Sequence, residues 1–597
     1  MKENRRQATL SGGQHLFDQR MKNYLLIPSL LFLLTGLQIA GTAQGHRPLT
    51  KSELAYIHTD RDIYLTGEYL FFKVYVANAE NLLPTSQSSI AYLSLYAPSG
   101  TPVSAITIKL TSGMGWGSIY LNDTIRSGAY RLRPYTNLMK NQGSLSNFSK
   151  EITIINQFDN LTGNLIPSLA IPHADTTVVK QTTAIPVTVT QLMNEYKTGD
   201  SAKFEIRLSD LLSDSVCAHL SVNIAHEHSL SDHARSFLSY VQQMKTESLS
   251  PGNSSARVNY LPEKFGQLLT GRVINRETKR PVKNCMVLLS CTDSIVNLSG
   301  SNTDSCGTFR FRLSDYNITK KCYLSFGNQL HYKELQIIPD QRDFEPETAI
   351  PVLPLTDTIL SKHIRQAELF MSIHKIYNTQ PGIIEQHFTS TATLRPMLYK
   401  VPTEVFYPSE YLPLKDFKEI AAELSFQISV LKQRDQYQIE CNYPRVDGEE
   451  RGAAAIFLNG RHLDESSTVL RMGSASIKKI EVMNAPVVCG SQVFNGIVAI
   501  FTPDGMNDTT DTRNSLPPLL FHPVSTPARI AEDGENAASL PDFRHLLFWE
   551  PEVFIAKEHP ATIRFKTSGL RGKYLIHIEG MTSSGQIISY HDEILIK

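Results

Sequence analysis

Three imidazoles fall between residues 226 and 233 of this chain, at His226, His228 and His233. Alternate positions at a strand end put two of them on one face, which is how a zinc site can begin. A structural zinc takes four ligands, and no fourth is obvious here, so polar residues at a strand end are the plainer reading. His58, Asp60 and Asp62 alternate in the same way. Asp60 and Arg61 stand in a turn-like stretch, where such groups bond backbone or each other rather than a metal. No Gly-x-Ser-x-Gly elbow, His-Glu-x-x-His helix or phosphate loop occurs. The residues assign no catalytic group, no cofactor and no metal, and the expectation is a protein that is not an enzyme.

The chain has 597 residues, which suggests roughly four domains, and an ordinary balance of 41% hydrophobic and 19% charged residues. Its formal net charge is zero, so nothing favours a nucleic-acid partner, and no small-molecule substrate is indicated. Lys22, the apolar run from Leu25 to Leu34 and the small residues Gly41-Thr42-Ala43 before Gln44 have the form of a secretory signal peptide. Pro28, Thr35, Gln38 and the shortness of the run argue against a membrane anchor. Export permits disulfides. The seven Cys are an odd number. Cys285, Cys291, Cys306 and Cys322 lie close enough in sequence for two bridges, in any of three connectivities, while Cys217, Cys441 and Cys489 read as buried thiols.

Strand patterns dominate. Leu70, Phe72, Val74 and Val76 alternate with Phe71, Lys73 and Tyr75, the period of a half-buried strand. Tyr64-Leu-Thr-Gly-Glu matches Tyr196-Lys-Thr-Gly-Asp, and Phe72 matches Phe204, so two tandem sandwiches from related repeats are expected. The phrase Thr59-Asp-Arg-Asp-Ile-Tyr64, closed by Ser127-Gly-Ala-Tyr-Arg131, resembles the macroglobulin-like domain of the α2-macroglobulin type, itself a β-sandwich. Leu269-Thr-Gly-Arg-Val273 with Thr303-Asp-Ser-Cys-Gly-Thr-Phe309 resembles the carboxypeptidase regulatory-like domain, and the zinc-bearing catalytic domain of carboxypeptidases is absent.

Ala454-Ala-Ile-Phe-Leu-Asn-Gly-Arg461, Ile480-Glu-Val482 and Gly490-Ser-Gln-Val-Phe-Asn-Gly-Ile497 resemble the plug domain of TonB-dependent outer-membrane transporters. Asn459-Gly460 and Asn495-Gly496 have the residue types of tight hairpin turns. A plugged barrel needs about 22 strands of roughly ten residues, more than residues 504–597 supply. The expectation is a plug-like module, without its barrel, that folds alone from about Thr403 to Pro503. Helices are expected over 354–380 and 414–429.

The resemblances imply a mainly β, multidomain chain with a small α/β unit. The expected order is leader and signal peptide (1–43), macroglobulin-like β-sandwich (44–160), second β-sandwich (180–265), regulatory-like β-sandwich (266–345), helical linker (346–400), plug-like domain (401–505), linker (506–541) and C-terminal β-sandwich (542–597). Macroglobulins that trap proteases condense a Cys thiol with a Gln three residues on, in a Cys-Gly-Glu-Gln motif. Cys489-Gly490-Ser491-Gln492 has that spacing but carries Ser in place of Glu and leads directly into a strand, so no thioester is expected. The expected function is an exported interaction or scaffold protein in the periplasm or at the outer membrane of a Gram-negative cell, with other envelope proteins, an outer-membrane barrel among them, as partners. A macroglobulin-type inhibitor lacking a thioester and an accessory of TonB-dependent uptake are the alternatives.

Overall fold

The computed structural model describes residues 53–597 except 143–147, 160–185, 211, 231–235, 248–259, 293–295, 314–319, 328–333, 341–364, 370, 374–375, 377–382, 386–397, 400, 434–435, 446–447, 464–465, 504–518, 522–523, 526–527 and 531–541. The expected signal peptide, His233 and most of the helix expected over 354–380 lie outside the described residues; residues 365–369 and 371–373 are helical.

The first sandwich uses eight strands: β1 (Glu53–Thr59), β2 (Ile63–Leu65), β3 (Tyr69–Asn78), β4 (Ile90–Tyr96), β5 (Pro102–Lys109), β6 (Met114–Tyr120), β7 (Gly128–Tyr135) and β8 (Lys150–Ile155). They form a three-stranded sheet, β1-β3-β6, and a five-stranded sheet, β2-β8-β7-β4-β5. Leu70, Phe72, Val74 and Val76 of β3 meet Leu93, Leu95, Leu132 and Ile152 of the other sheet in one core.

The second sandwich repeats this plan strand for strand. Its strands are β9 (Val187–Thr190), β10 (Glu195–Tyr196), β11 (Ser201–Leu208), β12 (Cys217–His226), β13 (Leu546–Ala556), β14 (Ala561–Lys566), β15 (Gly572–Thr582) and β16 (Ile587–Ile596). The sheets are β9-β11-β14 and β10-β16-β15-β12-β13, so each strand stands where the one eight places earlier stood. Even the single parallel pairing recurs: Tyr64 of β2 lies beside Ile154 of β8, and Tyr196 of β10 beside Ile596 of β16. Tyr130 donates to the Arg126 carbonyl at 2.7 Å, and its counterpart Tyr574 to the Leu570 carbonyl at 3.1 Å. The sandwiches expected over 180–265 and 542–597 are thus halves of one domain, interrupted by residues 227–545. Neither half can close a core alone, because Phe204, Ile206 and Val222 bury against Ile563, Ile576 and Ile594. The interruption is tolerated because β12 and β13 are antiparallel neighbours, with the His226 N–H donating to the His545 carbonyl at 2.7 Å. The chain leaves and returns at one point.

The strand β3 is buried on both faces, not one. Its second face, Phe71, Lys73 and Tyr75, packs on the five-stranded sheet of the second sandwich. In β11 the same positions are Lys203, Glu205 and Arg207, and that face meets solvent. A similar contrast holds at the sheet edge. Ile63, Leu65 and Ile155 are covered by Ala367 and Met371 of the helical residues 365–369 and 371–373, whereas their counterparts are Glu195, Lys197 and Lys597.

The inserted residues form two joined units. The regulatory-like unit pairs residues 268–275 with 308–312 and 335–339, and 286–291 with 299–302 and 320–326. Its core holds Val273, Val287, Leu289, Phe309 and Phe311. Of the two bridges the four clustered cysteines allow, one is made: Cys291 and Cys322 are directly paired across strands and disulfide-bonded, while Cys285 is buried and Cys306 exposed in a turn. The segment expected as linker supplies residues 519–521 to this sheet's edge and residues 528–530 to a pairing with 383–385. Val524 bridges to Thr107 of β5.

The plug-like unit has a five-stranded sheet in the order 404–406, 479–483, 497–501, 455–458, 461–463. Helix α1 (Phe417–Leu424) covers one face with Phe417 and Ile420. Asp416 caps it by accepting from the Glu419 N–H at 2.9 Å, and the Glu419 carboxylate accepts from the Lys415 N–H at 2.8 Å. The helix ends at Leu424, short of the expected Ser429, because Ile428 and Val430 belong to a strand over Ile428–Gln433. Asn459 and Gly460, with φ of 49° and 83°, make the expected two-residue hairpin turn. Asn495-Gly496 does not: Gly496 sits where the chain leaves the hairpin of residues 487–494 and enters the larger sheet. The sheet's second face is shared. Ala455, Phe457, Ile497 and Phe501 pack on Met286, Leu288, Val296 and Leu298 of the regulatory-like unit. The expected independent module of residues 403–503 therefore has one face of its sheet covered by its neighbour.

Candidate functional site

Every residue singled out for chemistry that lies within the described structure can be placed, and His58, Asp60 and Asp62 do not converge. His58, on β1, reaches into the second sandwich: Nδ1 is 2.6 Å from Ser221 Oγ and Nε2 is 3.2 Å from Asn223 Oδ1. Asn223 donates back to the Asp60 carbonyl at 2.9 Å. The Asp60 carboxylate accepts from the Tyr64 hydroxyl at 2.8 Å, the Phe71 N–H at 2.9 Å and Arg61 Nε at 3.1 Å. Asp62 turns elsewhere, to Lys150 at 2.7 Å. A serine hydroxyl beside an imidazole has the elements of a nucleophile and its base. Here Ser221 and His58 are both buried, and Ser221 Oγ is also 2.9 Å from the Tyr75 hydroxyl. The dyad is a fastening between two sandwiches.

Sequence reasoning missed the centre of this fastening. Lys73 is wholly buried; it donates to Glu552 at 3.0 Å and to the Leu220 carbonyl at 3.1 Å. Burial pulls the Lys73 ammonium down in pKa, and Glu552 opposes that shift. Glu552 also lies 2.5 Å from His219 Nδ1. The available signal was a lysine between aromatics on the supposed solvent face of β3, a pattern that a solvated face has no reason to carry.

The same junction half-buries His577, stacked on His591 with ring centroids 4.3 Å apart. Burial, followed by the neighbouring His591, pushes its pKa down to about 3, and burial also holds His58 well below the usual range. The fold therefore favours neutral imidazoles. An unfolded histidine titrates near 6.5, so this contribution is fully present above that pH and is lost as pH falls from there toward about 3. Urea midpoints should be flat above neutrality and drop across that window; a midpoint as high in acid as at neutrality would contradict the burial of these rings.

His226 and His228 do meet, with ring centroids 5.1 Å apart, but His226 Nδ1 accepts the His228 backbone N–H at 3.3 Å. Burial, then His228, brings His226 down to about 4. Among the described residues no group of three potential ligands is placed to hold a metal.

Cys489 and Gln492 face each other across a hairpin whose two-residue turn is Gly490-Ser491, with Gly490 at φ 62°. The Cys489 sulfur lies 3.7 Å from the Leu298 carbonyl, and burial pushes its pKa up to about 11. The Gln492 amide donates to the Val493 carbonyl at 3.3 Å. A thioester would free a thiol and take up methylamine; treatment of the native protein should leave the mass at Gln492 unchanged and expose no new thiol at Cys489.

The described surface carries its largest apolar exposures on the plug-like unit. Phe426 is 93% exposed and Leu412 84%, with Val405, Tyr407 and Tyr411 also exposed. Among the described residues no helix is long and apolar enough to cross a membrane.

No protein-family model matches the chain, and no curated protein does. Among solved structures, trypsin-activated α2-macroglobulin from Escherichia coli is 8% identical over 92% of this chain and 42% of its own, with a TM-score of 0.23. Salmonella α2-macroglobulin reacted with methylamine is 8% identical over 91% of this chain and 39% of its own, with a TM-score of 0.22. The Yersinia pseudotuberculosis adhesin InvE is 11% identical over 52% of this chain and 65% of its own, with a TM-score of 0.13. The chain spans about two fifths of the length of these macroglobulins. Likenesses at such identities and TM-scores say nothing about activity; what stands is a mainly β, multidomain protein built from two copies of one sandwich plan with two units inserted into the second.

Proposed function

We propose that this is a non-enzymatic scaffold of the Gram-negative cell envelope, exported to the periplasm or the outer membrane. In this reading the paired macroglobulin-like sandwiches are a frame, and the inserted regulatory-like and plug-like units present a surface to other envelope proteins, an outer-membrane barrel among them. The observation that carries it is the apolar exposure at Val405, Tyr407, Tyr411, Leu412 and Phe426. Single exposed leucines are ordinary on any surface. Five such side chains within residues 405–426, two of them aromatic alcohols suited to interfaces, are the composition of a contact surface. A photo-crosslinking residue placed at position 426 in the native host should give one discrete adduct in the envelope fraction, from a protein whose mature N-terminus is Gln44. No adduct, or a chain that keeps residues 24–43 and stays in the cytoplasm, would defeat this reading.

A further inference from the structure

The strand correspondence between the two sandwiches identifies a second surface. In the first sandwich, the outer face of the three-stranded sheet is a docking face: Phe71, Lys73, Tyr75 and His58 meet the second sandwich there. What receives them bears carboxylates: Glu552 takes Lys73, while the Glu579 backbone carbonyl accepts from the Tyr75 hydroxyl at 2.8 Å and the Glu579 carboxylate turns to His591 of its own sandwich.

The equivalent face of the second sandwich, on β9-β11-β14, is open. Its outward positions are Ser201, Lys203, Glu205 and Arg207 on β11, and Thr562, Arg564 and Lys566 on β14. Lys203 stands directly opposite Arg564, and Ser201 opposite Lys566. Like charges placed opposite one another on adjacent strands are destabilising. Four cations stand against one carboxylate, Glu205, which Arg207 already engages at 2.5 Å. The whole chain balances 58 basic against 58 acidic residues, so a face chosen only for solubility would carry both signs.

We propose that the outer face of β9-β11-β14 docks an acidic protein surface, in the manner in which the corresponding face of the first sandwich docks on the carboxylate-bearing sheet of the second. A second copy of this chain does not fit. Its acidic five-stranded face is already covered by its own first sandwich. The partner is therefore a different protein, recognised by clustered Asp and Glu side chains. Charge complementarity of this kind speeds encounter and weakens with salt.

The test uses the full mature chain, with poly-L-glutamate and phosphatidylglycerol vesicles as probes. Saturable binding of polyglutamate that falls at least roughly tenfold in the Lys203→Glu, Arg564→Glu double variant, and also at high ionic strength, is the expected result. Both side chains point to solvent, so the variant should melt with the parent; if it does not, Lys203→Gln with Arg564→Gln replaces it, with a smaller loss expected. Equal binding by parent and variant, vesicle binding without polyglutamate binding, or charge-dependent self-association of the chain would each overturn the proposal. None of these readouts involves residues 405–426, so this proposal and the scaffold reading can fail separately.

Discussion

A chain in which residues 248–541 are replaced by a short flexible linker should fold cooperatively, and one that stops at residue 541 should not fold its second sandwich at all. The first keeps all sixteen strands and helix Phe237–Glu247, whose Phe237 and Tyr240 pack against Tyr56 between the sandwiches. It loses the inserted units, with Ala367 and Met371 that cover Ile63, Leu65 and Ile155 and the Val524 bridge to Thr107, but no strand of either sandwich. Closing a loop costs free energy that grows with the logarithm of its length, about 0.6 kcal/mol per doubling, so shortening this one should not be harmful. The second chain lacks β13 to β16, half of the strands of that sandwich, and strips Phe204, Ile206, Leu220, Val222 and Ile224 of the Ile563, Ile576 and Ile594 they bury against. Each such side chain is worth about 1.5–3 kcal/mol when buried, and together they are comparable to the whole net stability of a domain, about 5–15 kcal/mol. Thermal unfolding followed by circular dichroism separates the cases. A cooperative second transition in the truncated chain, or none in the linker chain, would show that the split-domain architecture is wrong.

Gly496→Val should be among the most damaging single substitutions in the inserted units. Gly496 has φ of 117°, a backbone conformation costly for any residue with a Cβ and more so for a β-branched one. A Cβ there would come within 2.6 Å of Cys441 Cβ and 2.8 Å of the Met483 carbonyl, both buried or part of a sheet. Backbone strain of about 1 kcal/mol is then joined by overpacking of about 1–3 kcal/mol. Gly199 is the internal control. It too is left-handed, at φ 82°, but a Cβ there meets nothing within 4 Å. Gly199→Ala should cost only the strain, about 1 kcal/mol, and Gly496→Val clearly more, read as the difference in urea midpoint. Equal losses at the two sites would show that the close approach to Cys441 has no energetic weight.

Much of the local structure is legible in the sequence. The period-two runs at Leu70–Val76, Phe204–Leu208 and Tyr574–Ile578 are strands, and the inward residues are those the alternation indicates. The Asn459-Gly460 turn is where its residue types require it. The Tyr64 and Tyr196 segments are equivalent strands of a repeat. What is not legible is partnership. The second repeat continues at Arg571-Gly572-Lys573-Tyr574, the counterpart of Ser127-Gly128-Ala129-Tyr130, but a search for a fixed period cannot find it when residues 227–545 intervene.

The candidate chemistry divides in the same way. The sequence places His58, Asp60, Asp62, His226, His228, Cys489 and Gln492 close together in small groups, and spacing alone cannot say which way each side chain turns. Tertiary structure sends His58 to Ser221 and Asp62 to Lys150, and it buries the Cys489 sulfur beside Leu298. It also turns Lys73 from a presumed surface residue into the buried tie between two domains. The sequence by itself determined the strands, their inward faces and the repeated plan, because alternation and turn residues act within a few positions of the chain. Only the tertiary structure decided that 186–226 and 546–597 are one domain and which outer faces are covered. Those outcomes depend on surfaces brought together from distant parts of the chain, and the hydrophobic effect and hydrogen bonding that join them are indifferent to sequence separation.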